Sequence, residues 1–435
     1  LMVRVIHTGN ELLDFVATII YFILVSYPIL GSFAWFIGVL CYSFLFKYKH
    51  IDWAEIPTEV EPFITIMVPA HNEEVVIEDT IDYLMTKINY GNYEVLVTDD
   101  GSTDETPAIL ARLQKKYPKL RVIRIDKNKG KAHAFDIGMA FAKGQLILSN
   151  DADTVPEPDA LSNYVNYFIR PGGRNISAVT ANMDVKNRTS LLGKSQTVEF
   201  SSIVGIIKRT QAGVLGGLYA YSGANTMYRK DALIDVGGFR QDRATEDISI
   251  AWDHQLNGWI SVFAPTIIFF MEVPVSLPML YRQRKRWAKG GTEVWLTNFK
   301  KVLFHPFENI GRTFMFIDQT FSIIWSLFFC ISFFVFIILM GIYLYQGNFE
   351  QIYRTLTISF LFVCFEMISG IIQLIASLVV DDQGRKLKYM LFAPLYMLLF
   401  WMVNAITIMT TFIPAIKTIL GYGSGTWKSP ERKSE

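Results

Sequence analysis

The sequence has little charge and almost no cysteine. Charged residues make up 19% of its 435 residues, and the formal net charge is +1. This balance argues against a nucleic-acid-binding protein, which would carry a strongly basic domain. The cysteines, Cys41, Cys330 and Cys364, lie inside apolar runs without metal-ligand spacing. Neither disulfides nor a cysteine zinc site is therefore expected.

Several sequence signals are also missing. No basic segment precedes a short apolar core with a small-residue cleavage site, so a cleaved signal peptide is not indicated. The chain starts with Leu1, which leaves open whether residues precede it. No Gly-x-Gly-x-x-Gly follows the first predicted strand, and no Ser/His/Asp or Cys/His arrangement is apparent. Dinucleotide binding and covalent nucleophilic catalysis are thus not predicted.

Long apolar runs, by contrast, are abundant, and hydrophobic residues reach 51%. Each run exceeds the roughly 20 residues that a helix needs to cross the hydrocarbon core of a bilayer. The pattern predicts a multi-pass membrane protein. The runs are Phe15–Phe46, Phe314–Tyr345, Thr355–Val380 and Tyr389 to about Tyr422.

Two features of these runs have alternative interpretations. Pro28 and Gly31 in the first run allow either one kinked helix or a tight hairpin. Polar residues at membrane depth would line an aqueous path or form hydrogen bonds between helices. These residues are Asp318, Gln319, Glu366, Gln373 and Asn404.

Basic residues near the ends of the runs predict the cytoplasmic side of the membrane. They flank the central region and mark one later loop, which predicts a cytoplasmic central domain: Lys47, Lys49, Lys300, Lys301, Arg312, Arg385, Lys386 and Lys388. The predicted organisation is an N-terminal transmembrane segment (1–47), a cytoplasmic domain (48–312), a C-terminal transmembrane region (313–422) and a basic tail (423–435).

The central region alternates short β-rich runs with helical stretches, which predicts an α/β domain with a mostly parallel sheet. Ligands of such sheets bind beyond the carboxyl ends of the strands. Three predicted strands end in polar or acidic residues, and we expect a site there. These ends are residues 69–74, 99–102 and 150–153.

Asp151 and Asp153 are separated by one residue in the last of these segments, 150–153, at the end of the fourth predicted strand. A calcium loop would need a glycine where Pro156 stands. An acid pair of this kind suits Mg²⁺ or Mn²⁺, which bind through one or two carboxylates and phosphate oxygens. Lys131 opens the preceding helical stretch, where a cation and free backbone amides would contact a diphosphate. A plain surface lysine is the alternative.

Downstream, Thr245-Glu246-Asp247 and Gln283-Arg284-Lys285-Arg286-Trp287 complete an ordered set of motifs. The set resembles the processive family 2 glycosyltransferases, which include cellulose and hyaluronan synthases. Other segments are similar to the bacterial poly-N-acetylglucosamine synthases of the biofilm matrix. These segments are 191–196, 201–209, 286–291 and Thr426–Glu431.

The resemblance covers the chain from about residue 15 to about residue 432. It implies a GT-A type nucleotide-sugar-binding domain inserted between N-terminal and C-terminal transmembrane helices. It also implies that Asp100 contacts the uridine, Asp151 the nucleotide-sugar and Asp153 the metal. The nucleotide pocket would further be lined by Pro69, Asn72 and Glu73.

The resemblance makes Asp247 the catalytic base, with Glu246 beside it in the catalytic motif. Gln283, Arg286 and Trp287 match the family's Gln-x-x-Arg-Trp element. Their spacing on a helix independently places an amide, a guanidinium and an indole on one face. An arginine suits a diphosphate and an indole suits a sugar. Alone, the indole would be read as a membrane-interface anchor.

The implied function is polymerisation of N-acetylglucosamine from UDP-GlcNAc into a β-linked exopolysaccharide, by inverting displacement, with translocation across the bacterial plasma membrane. The implied partners are a UDP-sugar donor, the growing polysaccharide, the lipid bilayer and a small membrane accessory subunit. Two alternatives stay open: single-sugar transfer to a polyprenyl-phosphate lipid, and a sugar-binding protein that has lost catalysis.

One stretch departs from the resemblance. Residues 181–184 read Ala-Asn-Met-Asp where the relatives carry Gly-Asn-Pro-Arg, and the segment 222–225 is more polar than theirs. Replacing Arg by Asp184 near a sugar pocket would alter charge and hydrogen bonding together. UDP-N-acetylmannosamine therefore stays open as the donor.

Overall fold

The computed structural model describes residues 11–49 and 61–422. The predicted basic tail, with the Thr426–Glu431 motif, lies outside the described residues, as do the side chains of Lys47 and Lys49.

The central region forms one eight-stranded sheet in the order β3-β2-β1-β4-β7-β6-β8-β5. Four of the seven strand pairings are parallel, which confirms the predicted mostly parallel sheet. The four strands predicted from the alternation are its β1 to β4. The strands are β1 (Ile64–Ala70), β2 (Tyr93–Asp100), β3 (Leu120–Ile125), β4 (Leu146–Ser149), β5 (Val155–Pro156), β6 (Ile176–Val185), β7 (Thr226–Arg229) and β8 (Ile260–Met271).

Helices cover both faces of this sheet. Because side chains alternate along a strand, Ile66 of β1 packs in a core cluster with Ile81, whereas Met67 packs in another with Phe135. Every residue of β1 and β2 is buried, as expected for central strands of a covered sheet. The helices on this part are α2 (Ile77–Thr86), α3 (Thr106–Lys116), α4 (Lys131–Phe141) and α5 (Ala160–Ile169).

A second group of helices joins the sheet to the apolar segments. The Ser190 hydroxyl caps the first of them by accepting a hydrogen bond from the Gly193 amide. The helices are α6 (Leu191–Ser202), α7 (Lys208–Thr210), α8 (Lys230–Asp235), α9 (Glu246–Leu256) and α10 (Leu277–Leu303), and π-helical turns at Ile203–Ile207 and Gln211–Leu215 flank α7.

Four helical segments among the described residues are long and apolar enough to cross a membrane: Glu11–Leu45, Ile310–Tyr345, Phe349–Val380 and Leu387–Ile419. The first belongs to α1 (Glu11–Lys49), which is one continuous helix with Pro28 inside it, so the hairpin interpretation is wrong. The others contain α11 (Ile310–Tyr345), α12 (Phe349–Val380), α13 (Ala393–Leu395) and α14 (Trp401–Ile419).

Two of the polar residues at membrane depth form hydrogen bonds between helices. The Tyr27 hydroxyl of α1 donates to the Asp318 carboxylate of α11 at 3.3 Å. The Gln373 amide of α12 donates to the Ser202 hydroxyl at 3.5 Å. Asn404, on the other hand, lies exposed on α14.

A buried ionic cluster connects the sheet to the segment that follows α12. The Lys386 ammonium lies 2.9 Å from a carboxylate oxygen of Asp184 in β6 and 2.8 Å from one of Asp381. The Ser201 hydroxyl of α6 donates to Asp381 at 2.9 Å. Side-chain exposure is 5% for Lys386 and 1% for Asp381, so this pair is shielded from water. Arg188, which binds Asp184 at the edge of the cluster, is partly exposed.

Replacing Lys386 by Met removes the cation that is hydrogen-bonded to the buried Asp381. We expect the free energy of unfolding to fall by about 3–5 kcal/mol, because one partner of a buried ion pair is then left uncompensated. The midpoint of thermal unfolding of the purified protein measures this. Lys388→Met, an exposed position nearby, is the control, and equal midpoints for the two variants would contradict the assignment.

Candidate active site

The loops that follow β1 and β2 are bound to each other. The Asn72 amide N–H donates to the Ser102 hydroxyl at 2.9 Å, and the Thr103 N–H donates back to the Asn72 side chain at 2.8 Å. The Glu73 N–H donates to the Thr106 hydroxyl at 2.9 Å. Pro69 lies just upstream, buried within β1. The predicted pocket residues Pro69, Asn72 and Glu73 therefore lie together beside the end of β2.

Asp100 ends β2, and its carboxylate binds the loop before α4. It accepts from the Gly130 N–H at 2.8 Å and from the Lys129 N–H at 3.1 Å. Gly101 permits this approach, because it has a φ of +68° and a Cβ there would lie 2.8 Å from the Asn128 nitrogen. The Lys129 and Gly130 amides thus bind Asp100. The amides expected to contact a diphosphate are those of the first turn of α4, which starts at Lys131.

Lys131, the first residue of α4, is a buried cation and not a surface lysine. Its ammonium lies 2.7 Å from Asp151 and 3.1 Å from Glu246, and its side chain is only 10% exposed. Burial alone would lower its pKa, but the carboxylates of Asp151, Glu246 and Asp247 outweigh burial and raise it. The lysine stays charged and joins the end of β4 to the start of α9.

Asp247 lies in the first turn of α9 and is held from two sides. One carboxylate oxygen accepts from the Gly223 N–H at 3.1 Å, and the other accepts from the Ile248 N–H at 2.9 Å. Burial and the adjacent Glu246 raise the pKa of Asp247 to about 6, against the opposing effect of Lys131. A carboxylate with this pKa is suited to proton transfer near neutral pH.

Glu246 behaves differently. Burial raises the pKa of Glu246, but the positive charges of Lys131 and Arg286 lower it by more, so the net shift is downward. Glu246 and Asp247 are thus neighbours of unequal acidity: Glu246 stays ionised beside Lys131, and Asp247 is the one that can take up a proton.

Asp151 and Asp153 follow β4 as predicted. Burial and the charge of Asp153 raise the pKa of Asp151, while Lys131 lowers it. Asp151 remains 35% exposed, and carboxylate oxygens are the ligands that Mg²⁺ and Mn²⁺ prefer. Among the described residues no group of three or more His, Cys, Asp or Glu side chains could hold a metal. Two carboxylates one residue apart suit an ion that takes its remaining ligands from phosphate and water.

The residues of the Gln-x-x-Arg-Trp element lie on α10. Trp287 packs against an apolar cluster that includes Met183 and Ala224. Arg286 is exposed, and its charge lowers the pKa values of Glu246 and Asp247. The Gln283 side-chain oxygen accepts a hydrogen bond from Arg284 at 3.2 Å. The element thus lies beside the carboxylates of α9.

Two further residues, Gly223 and Lys208, lie in the site although the sequence motifs gave them no role. The Gly223 N–H holds Asp247, and its carbonyl accepts from the Lys131 ammonium at 3.4 Å. Lys208 is buried, and burial lowers its pKa to about 8 although Asp247 opposes the shift. Gly223 lies in the segment 222–225 and Lys208 in the segment 201–209, both of which stood out in the sequence, but the sequence assigned no role to either residue.

The departure at residues 181–184 has a structural explanation. The Asp184 carboxylate binds Arg188 and Lys386 at the junction with the membrane region. Its neighbour Met183 points the other way in the strand, and its sulfur accepts from the Ser222 hydroxyl at 2.7 Å. The change that contacts the segment 222–225 is therefore the methionine, whereas the Asp184 charge is balanced by Arg188 and Lys386.

The sequence of the chain matches a known protein family and several known proteins. Residues 65–237 match Glycosyl transferase family 2. A poly-beta-1,6-N-acetyl-D-glucosamine synthase of Staphylococcus epidermidis is 30% identical over 419 residues, covering 95% of this chain and 98% of the relative. The protein of the same name from Staphylococcus aureus (strain COL) is 30% identical over 430 residues, covering 94% and 97%.

The chain belongs to glycosyltransferase family 2. It is therefore a sugar-transferring enzyme, as the resemblance implied. A solved structure with a similar fold is the mannosyltransferase PcManGT from Pyrobaculum calidifontis, in complex with GDP-Man and Mn²⁺. It has a TM-score of 0.54 and 20% identity, over 83% of this chain and 99% of that one. The GT-A type α/β fold is thus confirmed.

Gly223 offers a test of the catalytic geometry. A Cβ at this position would lie 3.0 Å from both the Glu246 carboxylate and the Lys131 ammonium, and 3.5 Å from Asp247. These are the far ends of side chains, so Gly223→Ala should fold but displace them. We expect sugar transfer to slow by roughly 10- to 100-fold, since small misplacements of catalytic groups have large effects.

The control for this variant is Gly341→Ala on α11, where a Cβ would meet nothing within 4 Å. Initial rates of transfer and thermal midpoints of both variants are measured side by side. Wild-type rates for Gly223→Ala would show that the three side chains tolerate displacement, against the assignment.

Proposed function

We propose that this enzyme polymerises N-acetylglucosamine from UDP-GlcNAc into a β-linked exopolysaccharide. The observation that carries the proposal is the Lys131 bridge, which brings the donor-side carboxylate Asp151 and the α9 carboxylates into one cluster. A nucleotide-sugar and an acceptor hydroxyl bound on its two sides would meet at Asp247. The names of the relatives support the sugar and the polymer.

Asp153 would hold a divalent cation, Mg²⁺ or Mn²⁺, with Asp151 on the nucleotide-sugar beside it. The bound ion would supply neutralisation of the diphosphate charge. Lys131 lies against Asp151, and Arg286 is exposed near α9, so both can bind the leaving diphosphate. We assign Asp100 and the loops carrying Pro69, Asn72 and Glu73 to the nucleotide end of the pocket.

The proposed reaction is a single displacement. An acceptor hydroxyl oxygen forms a bond to the anomeric carbon as the bond to the diphosphate oxygen breaks, and UDP leaves with that electron pair. Asp247 takes the hydroxyl proton, for which its raised pKa suits it. Attack opposite the leaving group converts an α-linked donor into a β-glycoside. Trp287 and Gln283 would support the acceptor sugar.

The membrane segments extend this proposal. We infer that the α/β domain lies in the cytoplasm of a bacterial cell, with the chain multi-pass in the plasma membrane, between boundaries near residues 47 and 312. The polymer would grow processively and cross the bilayer beside the same helices. A small accessory subunit would belong to the membrane region. The four apolar helical segments support this arrangement.

UDP-GlcNAc is preferred over UDP-N-acetylmannosamine as the donor. The alternative rested on the changes at residues 181–184 and on the more polar segment 222–225. The Asp184 carboxylate is paired with Arg188 and Lys386, whereas Met183 contacts Ser222. The names of the relatives favour UDP-GlcNAc, and the changes at Met183 and Ser222 keep the alternative donor as an outcome of the donor panel.

Replacing Asp247 by Asn tests both reaction and base. Purified wild-type protein is incubated with Mn²⁺ and a panel of UDP-sugars, and the product is examined by linkage analysis. We expect a β-linked polymer from UDP-GlcNAc, and a rate for Asp247→Asn that is lower by roughly 10²- to 10⁴-fold, the usual contribution of a general base. UDP binding should survive.

Glu157→Gln, an acidic position outside the cluster, serves as the control. Polymer from another UDP-sugar would overturn the donor, and a single added sugar would overturn polymerisation. Substantial polymer from Asp247→Asn would overturn the base.

The pH dependence gives an independent check. A general base works only when deprotonated, so the transfer rate should fall about tenfold per pH unit below the pKa of Asp247, which is about 6. Glu246→Gln removes a negative charge that raises this pKa, and the midpoint should move to lower pH. Rates at saturating donor are measured across the acid-to-neutral range. An unchanged or higher midpoint would exclude this coupling.

A further inference from the structure

We propose that Arg284 is a positioning residue that fixes the orientation of the acceptor platform formed by Trp287 and Gln283. The inference rests on the proposed function and deepens it. Arg284 is one of the two residues inside the Gln-x-x-Arg-Trp element to which the motif assigns nothing, and unlike the exposed Lys285 it is buried.

Arg284 is anchored from another helix. Its guanidinium lies 2.5 Å from the Glu199 carboxylate of α6, and the two side chains are only 7% and 11% exposed. A buried ion pair of this kind seldom adds net stability, since removing both charges from water costs about what their attraction returns. A role in holding other groups explains its presence better than stability does.

The same guanidinium contacts both platform residues. Its central carbon lies 4.0 Å from the centre of a Trp287 ring, a cation–π stack. One of its N–H groups donates to the Gln283 side-chain oxygen at 3.2 Å. Phe400, which leads into α14, lies 5.9 Å from the guanidinium carbon. A single planar cation thus binds two of the three motif side chains.

The remaining contacts of Trp287 lead towards the base. The indole packs with a cluster containing Met183, Phe200 and Ala224. Ala224 follows Gly223, whose N–H holds Asp247. The indole therefore lies between Arg284 and the segment that holds the catalytic base, and rotation of the indole would misplace an acceptor hydroxyl relative to Asp247.

Only arginine provides this combination. A guanidinium is planar and can stack on an indole while its edges donate to a carboxylate and an amide oxygen. A lysine could keep the ion pair with Glu199 but would lose the planar stack. Arg284→Lys therefore separates the charge from the geometry.

The test uses full-length purified protein and a soluble β-linked N-acetylglucosamine oligomer as acceptor. For Arg284→Met and Arg284→Lys we expect kcat/KM for the acceptor to fall by about tenfold or more, with a raised acceptor KM. Release of UDP by donor hydrolysis without acceptor should stay near wild type, since the donor side is untouched. Arg282→Met, exposed on the same helix, is the matched control.

A double variant distinguishes positioning from a structural role. Glu199→Gln with Arg284→Met removes both buried charges, so its thermal midpoint should recover relative to Arg284→Met alone. Transfer to the acceptor should stay low, because the stack and the Gln283 contact are still missing. Transfer that recovers together with stability would overturn the proposal, as would full transfer by Arg284→Lys.

The proposed function has its own readout in this experiment. Wild-type protein that forms no polymer under these conditions would contradict the function. Wild-type polymerisation with wild-type acceptor kinetics for both Arg284 variants would contradict the positioning role alone.

Discussion

The site depends on one buried ammonium group among carboxylates. Asp151, Glu246 and Asp247 come from the ends of two elements far apart in the chain, and like charges this close would repel each other in a partly desolvated pocket. The Lys131 ammonium binds Asp151 and Glu246 directly and donates a hydrogen bond to the Gly223 carbonyl. Its charge keeps Glu246 ionised, and Glu246 in turn raises the pKa of Asp247. The difference in pKa between Glu246 and Asp247 therefore depends on the charge of Lys131.

The sheet connects this cation to the membrane region. Met183 and Asp184 are adjacent in β6 and point to opposite sides, so Met183 contacts Ser222 beside Gly223 and Asp184 binds Lys386 after α12. Glu199 of α6 and Arg284 of α10 form a second buried connection near α14. The proposed polymerisation beside the apolar helices would need such fixed junctions between these helices and the sheet.

Much of this was predictable from local pattern. The alternation of strands and helices predicted β1 to β4, and polar strand ends predicted where Asp100 and Asp151 lie. Contacts between distant segments were not: Lys386 and Asp184 are some two hundred residues apart, and a lone lysine in a loop gives no sign of its partner. Pro28 was compatible with a helix or a hairpin. Proline removes one backbone hydrogen bond and its ring clashes with the preceding turn, which can kink a helix or break it. Packing against other helices decides between the two.

The most direct test of this account is an experimentally determined structure of the full-length protein with UDP and Mn²⁺. The account predicts the ion at Asp153, the diphosphate within hydrogen-bond distance of Lys131, and Asp247 facing the open side of the pocket beside Trp287. A diphosphate bound away from Lys131, with Asp151 and Glu246 still closed around that lysine, would contradict it.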